Sequence, residues 1–256
     1  MLLIDIHSHI LPGIDDGPQS NALFLKMAEM AAQSGIAHLY ATPHHLNRNF
    51  ENTKSKIIAQ VKIANEQLAE KNIPLVIHLG QEVRIPHDFF RSLNSDELLT
   101  YDNKGMYMLI ELPSRDVSTY TFEIIYELLV IGITPIIAHP ERNLELLANP
   151  DLLYEFVDEG ALTQITAGSI LGHFGRRVKS YAGQIIEHHL AHFIASDAHN
   201  TTSRGFYLQE AYERIRGKYG NRFVEYFETN AEFLLQCRNI EKLEAIPLRK
   251  KIMGIF

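Results

Sequence analysis

Histidine is the most informative residue type in this chain, because six of its 13 histidines fall in short polar motifs that follow apolar runs. The first motif places His7 and His9 two residues apart, directly after an apolar segment. Alternate side chains of a strand share a face, so we expect the two imidazoles to lie side by side. Two neighbouring imidazoles can chelate a transition metal. Taken alone, however, the pair fits two structural histidines equally well.

Similar residues recur at the ends of other apolar runs, which favours the metal interpretation. Asp197 and His199 repeat the two-residue spacing. Four further candidates each end a separate run: His44, Glu82, Glu111 and His139. In a barrel of parallel strands, the carboxyl ends of all strands meet at one edge, where active sites lie. A purely structural explanation would need six independent coincidences, so the pattern predicts a metal site at that edge.

The ligand types limit the metal and its chemistry. Mixed histidine and carboxylate sites without thiolate suit Mn, Fe or Zn, with bridging carboxylates favouring Mn or Fe. Glu82 and Glu111 are each able to bridge or flank ions ~3.5–4 Å apart, as in two-metal hydrolases. Such ions lower the pKa of a bound water toward ~7 and supply hydroxide at neutral pH. The sequence therefore predicts a hydrolytic centre.

Two arginines follow the same motifs and indicate an anionic substrate. Arg142 comes three residues after His139, and Arg204 lies five residues after His199, so both are expected on loops at the barrel mouth. The planar guanidinium group matches phosphate oxygens bidentately. The alternative is that both are surface arginines paired with carboxylates such as Glu141.

Other polar residues near these motifs are expected to have lesser roles. Asp5 shares the strand face of His7 and His9, so it is a candidate acceptor that orients one imidazole. His45 should point away from His44, although a substrate contact by His45 is an alternative. The remaining histidines lack a strand-end position or a partner, and they are expected to be structural or solvated: His38, His78, His87, His173, His188, His189 and His192.

Apolar, β-branched segments alternate with amphipathic segments along the chain. Seven strands are predicted, at 2–7, 38–42, 75–81, 107–112, 134–138, 162–166 and 192–196. Their continuous apolar runs are typical of parallel strands that are buried on both faces. Seven strands alternating with helices predict an α/β fold, a βα-repeat domain closed as a distorted barrel over residues 1–256. An open doubly wound sheet is the alternative.

The helical segments are identified by their apolar stripes. Leu23, Met27, Met30 and Ala31 predict a helix with these residues facing the core. Similar stripes predict helices around 57–68 and 122–129, and further helices at 205–218 and 222–237. The segment 84–105 has weaker periodicity and is expected to form an excursion beside the barrel mouth.

Composition excludes several functions. A net charge of -7 disfavours binding to a nucleic-acid backbone, and the basic residues 249–251 are interpreted as a solvated terminus. No apolar stretch reaches the ~18 residues of a membrane span. The single cysteine, Cys237, excludes an internal disulfide and favours a reducing cytoplasm. Residue 243 is leucine, so the Cys-x5-Arg loop of cysteine-based tyrosine phosphatases is absent.

Taken in order, six strings resemble the polymerase and histidinol phosphatase (PHP) family of metal hydrolases: DIHSH (5–9), TPHH (42–45), GQE (80–82), IELP (110–113), AHPER (138–142) and SDAHN (196–200). The string IDDGP (14–18) is similar to one branch, the bacterial manganese-dependent tyrosine phosphatases of capsule and exopolysaccharide operons, the CpsB/CapC/YwqE type. The motifs span most of the chain. No motif position departs from the family pattern.

The resemblance implies a distorted seven-stranded TIM-like barrel (the PHP fold) that binds three divalent metal ions, most simply Mn, with Fe and Zn as alternatives. It implies three ligand sets: His7, His9, Glu82 and Asp197; Glu82, Glu111 and His139; and Asp16, His44 and His199. The choice of Asp16 over Asp15 rests on the resemblance alone. Arg142 and Arg204 would hold the phosphate while a metal-bridging hydroxide attacks phosphorus. The implied substrate is a phosphotyrosine protein, namely the tyrosine-rich tail of a bacterial tyrosine kinase.

Two rival functions use similar ligands. A small-molecule phosphatase of the same family, acting on a compound such as histidinol phosphate, would share the metal residues. A metal-dependent amidohydrolase or deaminase would share the histidines but would have no use for two arginines. A nuclease would need a basic groove, and a non-catalytic binding module would be expected to lose ligands.

Overall fold

The computed structural model describes residues 3–85, 89–93 and 96–248. Leu2 of the first predicted strand, His87 and the basic residues 249–251 lie outside the described residues. None of the described helices combines the length and apolar composition that crossing a bilayer requires.

The described strands form two parallel sheets. In chain order they are β1 (Leu3–Ser8), β2 (Ile36–Ala41), β3 (His44–His45), β4 (Val76–Leu79), β5 (Glu82–Arg84), β6 (Tyr107–Glu111), β7 (Thr134–Ala138), β8 (Leu162–Thr166) and β9 (Phe193–Ala195). One sheet has the order β1-β2-β4, and the other has the order β3-β5-β6-β7-β8-β9. Every strand pair is parallel, as the apolar runs predict.

The two sheets are halves of one distorted barrel. β3 follows β2 after Thr42 and Pro43, and β5 follows β4 after Gly80 and Gln81, so two of the seven barrel positions are each broken in two. Pro43 cannot donate a backbone hydrogen bond, which suits an interruption at this point. A bridge between Ser8 and Ala198 connects β1 to the chain after β9. The predicted seven-position α/β barrel is therefore confirmed, with β3 and β5 as short additions.

Helices cover the outside of the sheet. They are α1 (Asn21–Gln33), α2 (Lys54–Glu70), α3 (Phe89–Leu93), α4 (Thr121–Val130), α5 (Leu144–Ala148), α6 (Asp151–Asp158), α7 (Ala167–Leu171), α8 (Arg176–Glu187), α9 (Leu208–Tyr219) and α10 (Asn221–Leu235). Short 3-10 turns span Tyr101–Asn103 and Pro140–Arg142. The side chain of Ser20 caps α1 by accepting from the Leu23 backbone N–H.

Two predicted details are wrong: the core-facing residues of α1 and the start of the excursion. Met27 and Ala31 are buried as predicted, but Leu23 is 45% exposed and Met30 is only partly buried, and Phe24 and Ala28 take their places in the core. The excursion predicted from residue 84 begins later, since Arg84 belongs to β5 and pairs in register with Glu111 of β6. The short length of β5 hides this strand from a periodicity analysis.

The barrel interior is filled with apolar side chains. Ile6, Tyr40, Leu109, Ile136 and Phe193 pack together there, all of them nearly or fully buried. A second, larger cluster fills the space between the strands and the helices. Because the interior is packed with apolar side chains, an active site is expected at the strand ends rather than inside the barrel.

Gly80 is expected to be needed at the break between β4 and β5. A Cβ at this position would lie 2.8 Å from Thr42 Cγ2 and 3.1 Å from the Ala41 carbonyl oxygen. Gly80→Ala should therefore lower the free energy of unfolding by about 1–3 kcal/mol through overpacking, as measured by urea denaturation. Gly217→Ala is the matched control, because nothing lies within 4 Å of its added Cβ. Equal or higher stability of Gly80→Ala would contradict this packing argument.

Candidate metal centre

Four of the predicted ligands converge on a single point. The Nε2 atoms of His7 and His9 lie 3.2 Å apart. Glu82 Oε2 lies 3.6 Å from His7 Nε2 and 3.3 Å from His9 Nε2. Asp197 Oδ1 lies 3.4 Å and 3.5 Å from the same two nitrogens. Donors ~2.0–2.2 Å from one ion lie about 3–3.6 Å from one another, so each of the two carboxylate oxygens has the spacing of a coordination shell toward the two imidazole nitrogens.

Glu82 lies at the middle of a wider cluster. His139 Nε2 lies 2.8 Å from Glu82 Oε1, and His44 Nδ1 lies 2.8 Å from Glu82 Oε2. The parallel pairing of β3 with β5 places His44 directly opposite Glu82. Glu111 Oε2 is 3.9 Å from His44 Nδ1. The two oxygens of Glu82 therefore face different histidines, an arrangement that suits a carboxylate shared between two ions.

A third group forms around Asp16. Its Oδ1 atom lies 3.3 Å from His199 Nε2 and 3.6 Å from His44 Nε2. Asp16 is partly exposed, whereas His199 is almost fully buried. The adjacent Asp15 is buried and points toward His9 instead. The positions of the two aspartates therefore distinguish their roles, which their adjacent places in the sequence could not do.

The structure groups these residues slightly differently from the three implied sets. The groups whose ligand atoms lie within 4.8 Å of one another are His9, Asp16, His44 and His199; His7, Glu82 and His139; His7, His9 and Asp197; and His44, Glu82 and Glu111. His44 thus faces both Asp16 and Glu82 through its two ring nitrogens. Every one of the nine predicted ligands lies in at least one group.

The donor atoms fit divalent cations. Four buried atoms of the cluster make no well-oriented hydrogen bond within the described part of the chain, although His44 Nδ1 and Glu82 Oε2 form a close ion pair with each other: His44 Nδ1, Glu82 Oε2, Glu111 Oε2 and His199 Nε2. An unsatisfied buried polar atom costs free energy, and coordination of a cation removes that cost. Oxygen and nitrogen donors without sulfur suit Mn, Fe and Zn.

Protonation tendencies fit cation binding at Glu82, Asp197 and His139, whereas against the effect of burial Asp15 holds the pKa of His9 above its usual value and Glu82 raises the pKa of His44. Burial by itself would raise the pKa of Glu82, but His44 and His7 hold it well below the usual range. Burial likewise opposes ionisation of Asp197, and Arg142 and His7 hold its pKa well below the usual value. Burial and Arg142 lower the pKa of His139 to about 4. Ionised carboxylates and a neutral imidazole are the forms that coordinate metals.

Two buried side chains orient the imidazoles. Gln164 Oε1 lies 2.8 Å from His7 Nδ1, and Asp15 Oδ2 lies 2.7 Å from His9 Nδ1. Each contact leaves the Nε2 atom of that ring facing the cluster, which is the role of an outer partner of a metal ligand. Gly17 must approach closely here, since a Cβ on it would lie 2.0 Å from the His9 carbonyl oxygen.

The prediction that Asp5 orients an imidazole is wrong. Its Oδ1 atom accepts from the backbone N–H of Ser196 at 2.9 Å and of His7 at 3.4 Å, and no imidazole contact is present among the described residues. The pairing of β1 with β2 shifts register between Leu3 and Ile4 and again between Asp5 and Ser8. The simple alternation of faces assumed for Asp5 therefore fails. Asp5 instead ties β1 to the end of β9.

The surroundings of His45 disfavour the alternative that it contacts the substrate. His45 is 1% exposed, and its Nδ1 atom accepts from the Asn52 backbone N–H at 3.1 Å. Asn52 also donates to the His44 carbonyl oxygen at 2.8 Å. His45 therefore fixes the loop after β3. Burial lowers the pKa of His45, which suits a neutral structural role.

The backbone is unusual at two predicted ligands. His139 directly follows β7 with φ 34°, and Asp197 comes two residues after β9 with φ 53°. Non-glycine residues rarely adopt positive φ, and such conformations cluster at functional sites. Here the left-handed residue lets each strand end turn its side chain toward the cluster.

Both predicted arginines face the cluster. Arg142 Nη1 and Arg204 Nη2 each lie 2.9 Å from Asp197 Oδ2. Arg142 does not pair with Glu141 in the manner of a surface ion pair. Glu141 is fully buried and accepts from the Thr166 backbone N–H and the Ser169 hydroxyl at 3.0 and 2.7 Å. Glu141 thereby anchors the short 3-10 turn that carries Arg142.

A cavity of about 310 Å³ opens over the cluster. Its polar floor includes Glu82, Asp197 and both arginines. Its walls include the apolar side chains of Leu112, Pro140 and Phe174. The Arg142 guanidinium carbon lies 5.0 Å from the centre of the Phe174 ring, within the range of a cation–π contact. The cavity thus combines an anion-binding floor with an apolar wall.

Sequence reasoning did not predict the roles of five residues of this site: Asp15, Arg84, Glu141, Gln164 and Phe174. Gln164 had one available signal, because it is a polar residue in the middle of an apolar strand. Arg84 Nη1 lies 2.9 Å from Glu111 Oε1 and fixes that carboxylate, but β5 is too short to be identified from periodicity. Phe174 lies in the turn between α7 and α8, where no strand-end pattern points to it.

Comparison with known proteins gives close matches. A family model described as "Capsular polysaccharide synthesis, CpsB/CapC" matches residues 3–236. The tyrosine-protein phosphatase YwqE of Bacillus subtilis (strain 168) is 40% identical over 255 residues, covering 99% of this chain and 100% of YwqE. The tyrosine-protein phosphatase CpsB of Streptococcus pneumoniae is 33% identical, covering 85% of this chain and 91% of CpsB.

A solved structure shares the fold at high similarity. It belongs to the crystal structures of YwqE from Bacillus subtilis and CpsB from Streptococcus pneumoniae, described as unique metal-dependent tyrosine phosphatases. The TM-score is 0.93 at 39% identity, and the match covers 97% of this chain and 100% of the other.

Removal of the Asp15 carboxylate should weaken metal binding. Asp15→Ala leaves His9 Nδ1 without its partner, and loss of such an outer partner typically costs 10–100-fold in metal affinity. Titration of the metal-free protein with Mn²⁺ should show a loss of that size, and Asp15→Asn, which keeps an acceptor oxygen, should lose less. Asp158→Ala, an exposed residue of α6, is the control. An unchanged Mn²⁺ affinity in Asp15→Ala would show that the contact with His9 is not needed.

Proposed function

Because the chain belongs to the CpsB/CapC family of capsular polysaccharide synthesis, we propose that it is a metal-dependent protein tyrosine phosphatase. The observation that carries the proposal is the convergence of Arg142 and Arg204 beside a cluster of histidines and carboxylates. The names of the relatives YwqE and CpsB support the same activity. A deaminase would have no charged substrate group to place against two arginines.

We propose that three divalent ions, most simply Mn, are held by the nine clustered residues. The sets would be those that the family resemblance implies: His7, His9, Glu82 and Asp197; Glu82, Glu111 and His139; and Asp16, His44 and His199. When bound, divalent ions supply a water-derived nucleophile at neutral pH and neutralise charge on a phosphate group. Because the two oxygens of Glu82 face different histidines, Glu82 is the residue suited to serve two ions.

The two arginines would bind the phosphate group. Both guanidinium groups contact Asp197 Oδ2 and line the cavity, so their N–H donors are close to an anion bound there. Fixed donors of this kind stabilise the charge that develops on the oxygens of phosphorus during in-line attack. The anchoring of Glu141 by Thr166 and Ser169 holds Arg142 in place before the substrate arrives. The pathway needs no covalent intermediate on the enzyme.

The apolar wall favours an aromatic phosphate ester. Phe174 and Leu112 lie on the wall of the cavity, where the phenyl ring of phosphotyrosine would pack while its phosphate reaches the floor. Aromatic rings that stack or meet edge to face gain about 0.5–1.5 kcal/mol beyond area burial. The leaving phenolate has a conjugate acid of pKa ~10, so it departs more readily than a serine alkoxide.

We further propose that the substrate is the tyrosine-rich tail of a bacterial tyrosine kinase and that the enzyme acts in the cytoplasm. The support is the family description, which connects the chain with capsular polysaccharide synthesis. A flexible tail could also place a phosphotyrosine side chain in the cavity.

Hydrolysis should depend on metal and select phosphotyrosine. The purified protein is assayed on a phosphotyrosine peptide, a phosphoserine peptide and histidinol phosphate, after chelation and after addition of Mn²⁺. We expect chelation to abolish turnover, Mn²⁺ to restore it, and kcat/KM to be highest for phosphotyrosine. His7→Ala and Glu82→Ala should remain folded but inactive. Turnover that survives exhaustive chelation would exclude the metal mechanism, and a preference for histidinol phosphate would favour the small-molecule phosphatase.

The arginines should be needed for catalysis rather than for folding. Arg142→Ala and Arg204→Ala should each lower kcat/KM on phosphotyrosine by about 10²–10³-fold, the typical cost of one donor to a transition-state oxyanion. Lysine at either position should restore only part of the activity, because it lacks the bidentate geometry. Arg214→Ala, an exposed change on α9, is the control. Near-normal activity of both alanine variants would contradict the phosphate-binding role.

A further inference from the structure

A second groove, of about 740 Å³, opens beside the metal centre. It is lined by the loop 46–49 after β3, the end of β5 and the loop 113–118 after β6. Ser114 lines both this groove and the cavity over the metal centre. The two spaces are therefore adjoining, and a polypeptide that places one side chain in the cavity must pass close to the groove.

The charge of the groove is opposite to that of the whole chain. Three arginines line it, Arg48, Arg84 and Arg115, whereas Asp116 is the one acidic residue among its described lining residues. The chain as a whole carries a net charge of -7. Arg48 and Arg115 are exposed, and neither has an ion-pair partner within 3–85, 89–93 and 96–248. A local cluster of uncompensated guanidinium groups attracts anions.

The loop that carries Arg115 is held rigidly. Asn143 Nδ2 donates to the carbonyl oxygens of Pro113 and Asp116 at 2.6 and 3.0 Å. The Leu144 backbone N–H donates to the Ser114 carbonyl oxygen at 3.1 Å. Asn143 directly follows Arg142, so the same segment positions a phosphate-binding arginine and the groove. A pre-organised surface loses less entropy when a ligand binds.

Arg84 connects the groove to the metal centre. One of its nitrogens, Nη1, lies 2.9 Å from Glu111 Oε1, while the residue also lines the groove. Because Arg84 is partly engaged by Glu111, Arg48 and Arg115 are the two arginines whose charge is fully available to a ligand. Neither belongs to the proposed metal or phosphate site.

We propose that this groove binds an anionic side chain that lies near the phosphotyrosine in the substrate polypeptide, an inference that rests on the proposed function. Carboxylates and a second phosphotyrosine share the chemistry that guanidinium groups recognise. The groove adjoins the cavity, and an extended chain advances ~3.3 Å per residue, so the anionic side chain would belong to a residue near the hydrolysed phosphotyrosine in sequence. The groove thereby makes the sequence around the phosphotyrosine part of the enzyme's specificity.

The test compares three phosphotyrosine peptides of equal length with Mn²⁺ present. Their neighbouring positions carry neutral residues, Asp and Glu, or a second phosphotyrosine, and p-nitrophenyl phosphate serves as a substrate without neighbours. For the wild-type protein we expect kcat/KM to be higher for the anionic peptides, mainly through KM. The double variant Arg48→Ala/Arg115→Ala should lose about 3- to 20-fold on those peptides only, the size expected for two exposed ion pairs. Arg214→Ala is the matched control.

Further measurements separate charge recognition from a general defect. Raising the salt concentration should reduce the wild-type preference, because exposed charges are screened. Arg115→Glu should shift the preference toward a peptide with neighbouring lysines, while turnover of p-nitrophenyl phosphate stays unchanged. The carboxylate and second-phosphotyrosine peptides show which source of anion the groove prefers.

Two results would overturn the groove proposal. One is equal kcat/KM for neutral and anionic peptides in the wild-type protein. The other is an anionic preference that persists in the double variant. Failure of the proposed function is distinct, because it would appear as the absence of metal-dependent turnover of every peptide and of p-nitrophenyl phosphate.

Discussion

The carboxylates of Glu82 and Asp197 are both buried, and both lie within 3.6 Å of the same imidazole nitrogen of His7. Glu111 is nearby and also buried, and Asp16 completes the acidic set at the rim. Carboxylates crowded in this way repel one another, and an uncompensated buried charge costs several kcal/mol. Positive charge is therefore a condition of this arrangement. The arginines supply it at the edge, and divalent cations fit the donor atoms at the centre.

The barrel provides the framework that makes such crowding achievable. Apolar side chains fill its interior, and the clustered histidine and carboxylate side chains come together where strands end or begin. The breaks after β2 and β4 create β3 and β5, whose register places His44 opposite Glu82. Left-handed backbone at His139 and Asp197 turns two further side chains inward. The irregular strand ends thus bring these histidine and carboxylate side chains together.

Around this centre, successive layers of residues have separate tasks. Asp15 and Gln164 orient imidazoles, Arg84 holds Glu111, and Glu141 fixes the turn of Arg142. The cavity wall adds an aromatic surface, and the arginine groove extends the site along a bound polypeptide. A small phosphorylated metabolite would use only the floor of the cavity. A phosphotyrosine peptide would use the floor, the wall and the groove together, which is the physical basis for preferring it.

The sequence by itself determined the seven barrel strands and the residue types at their ends, because parallel buried strands leave long apolar runs and their ends converge in any such barrel. It also determined the nine clustered residues and the two arginines, through motifs that span most of the chain. Only the tertiary structure decided which partner each side chain meets. Asp5 accepts a hydrogen bond from the Ser196 backbone N–H, and His45 accepts one from the Asn52 backbone N–H. Phe24 lies in the core where Leu23 was predicted. These contacts leave no periodic signal in the sequence. Register shifts, very short strands and the contact of Gln164 with His7 each depend on packing between parts of the chain that are far apart in sequence.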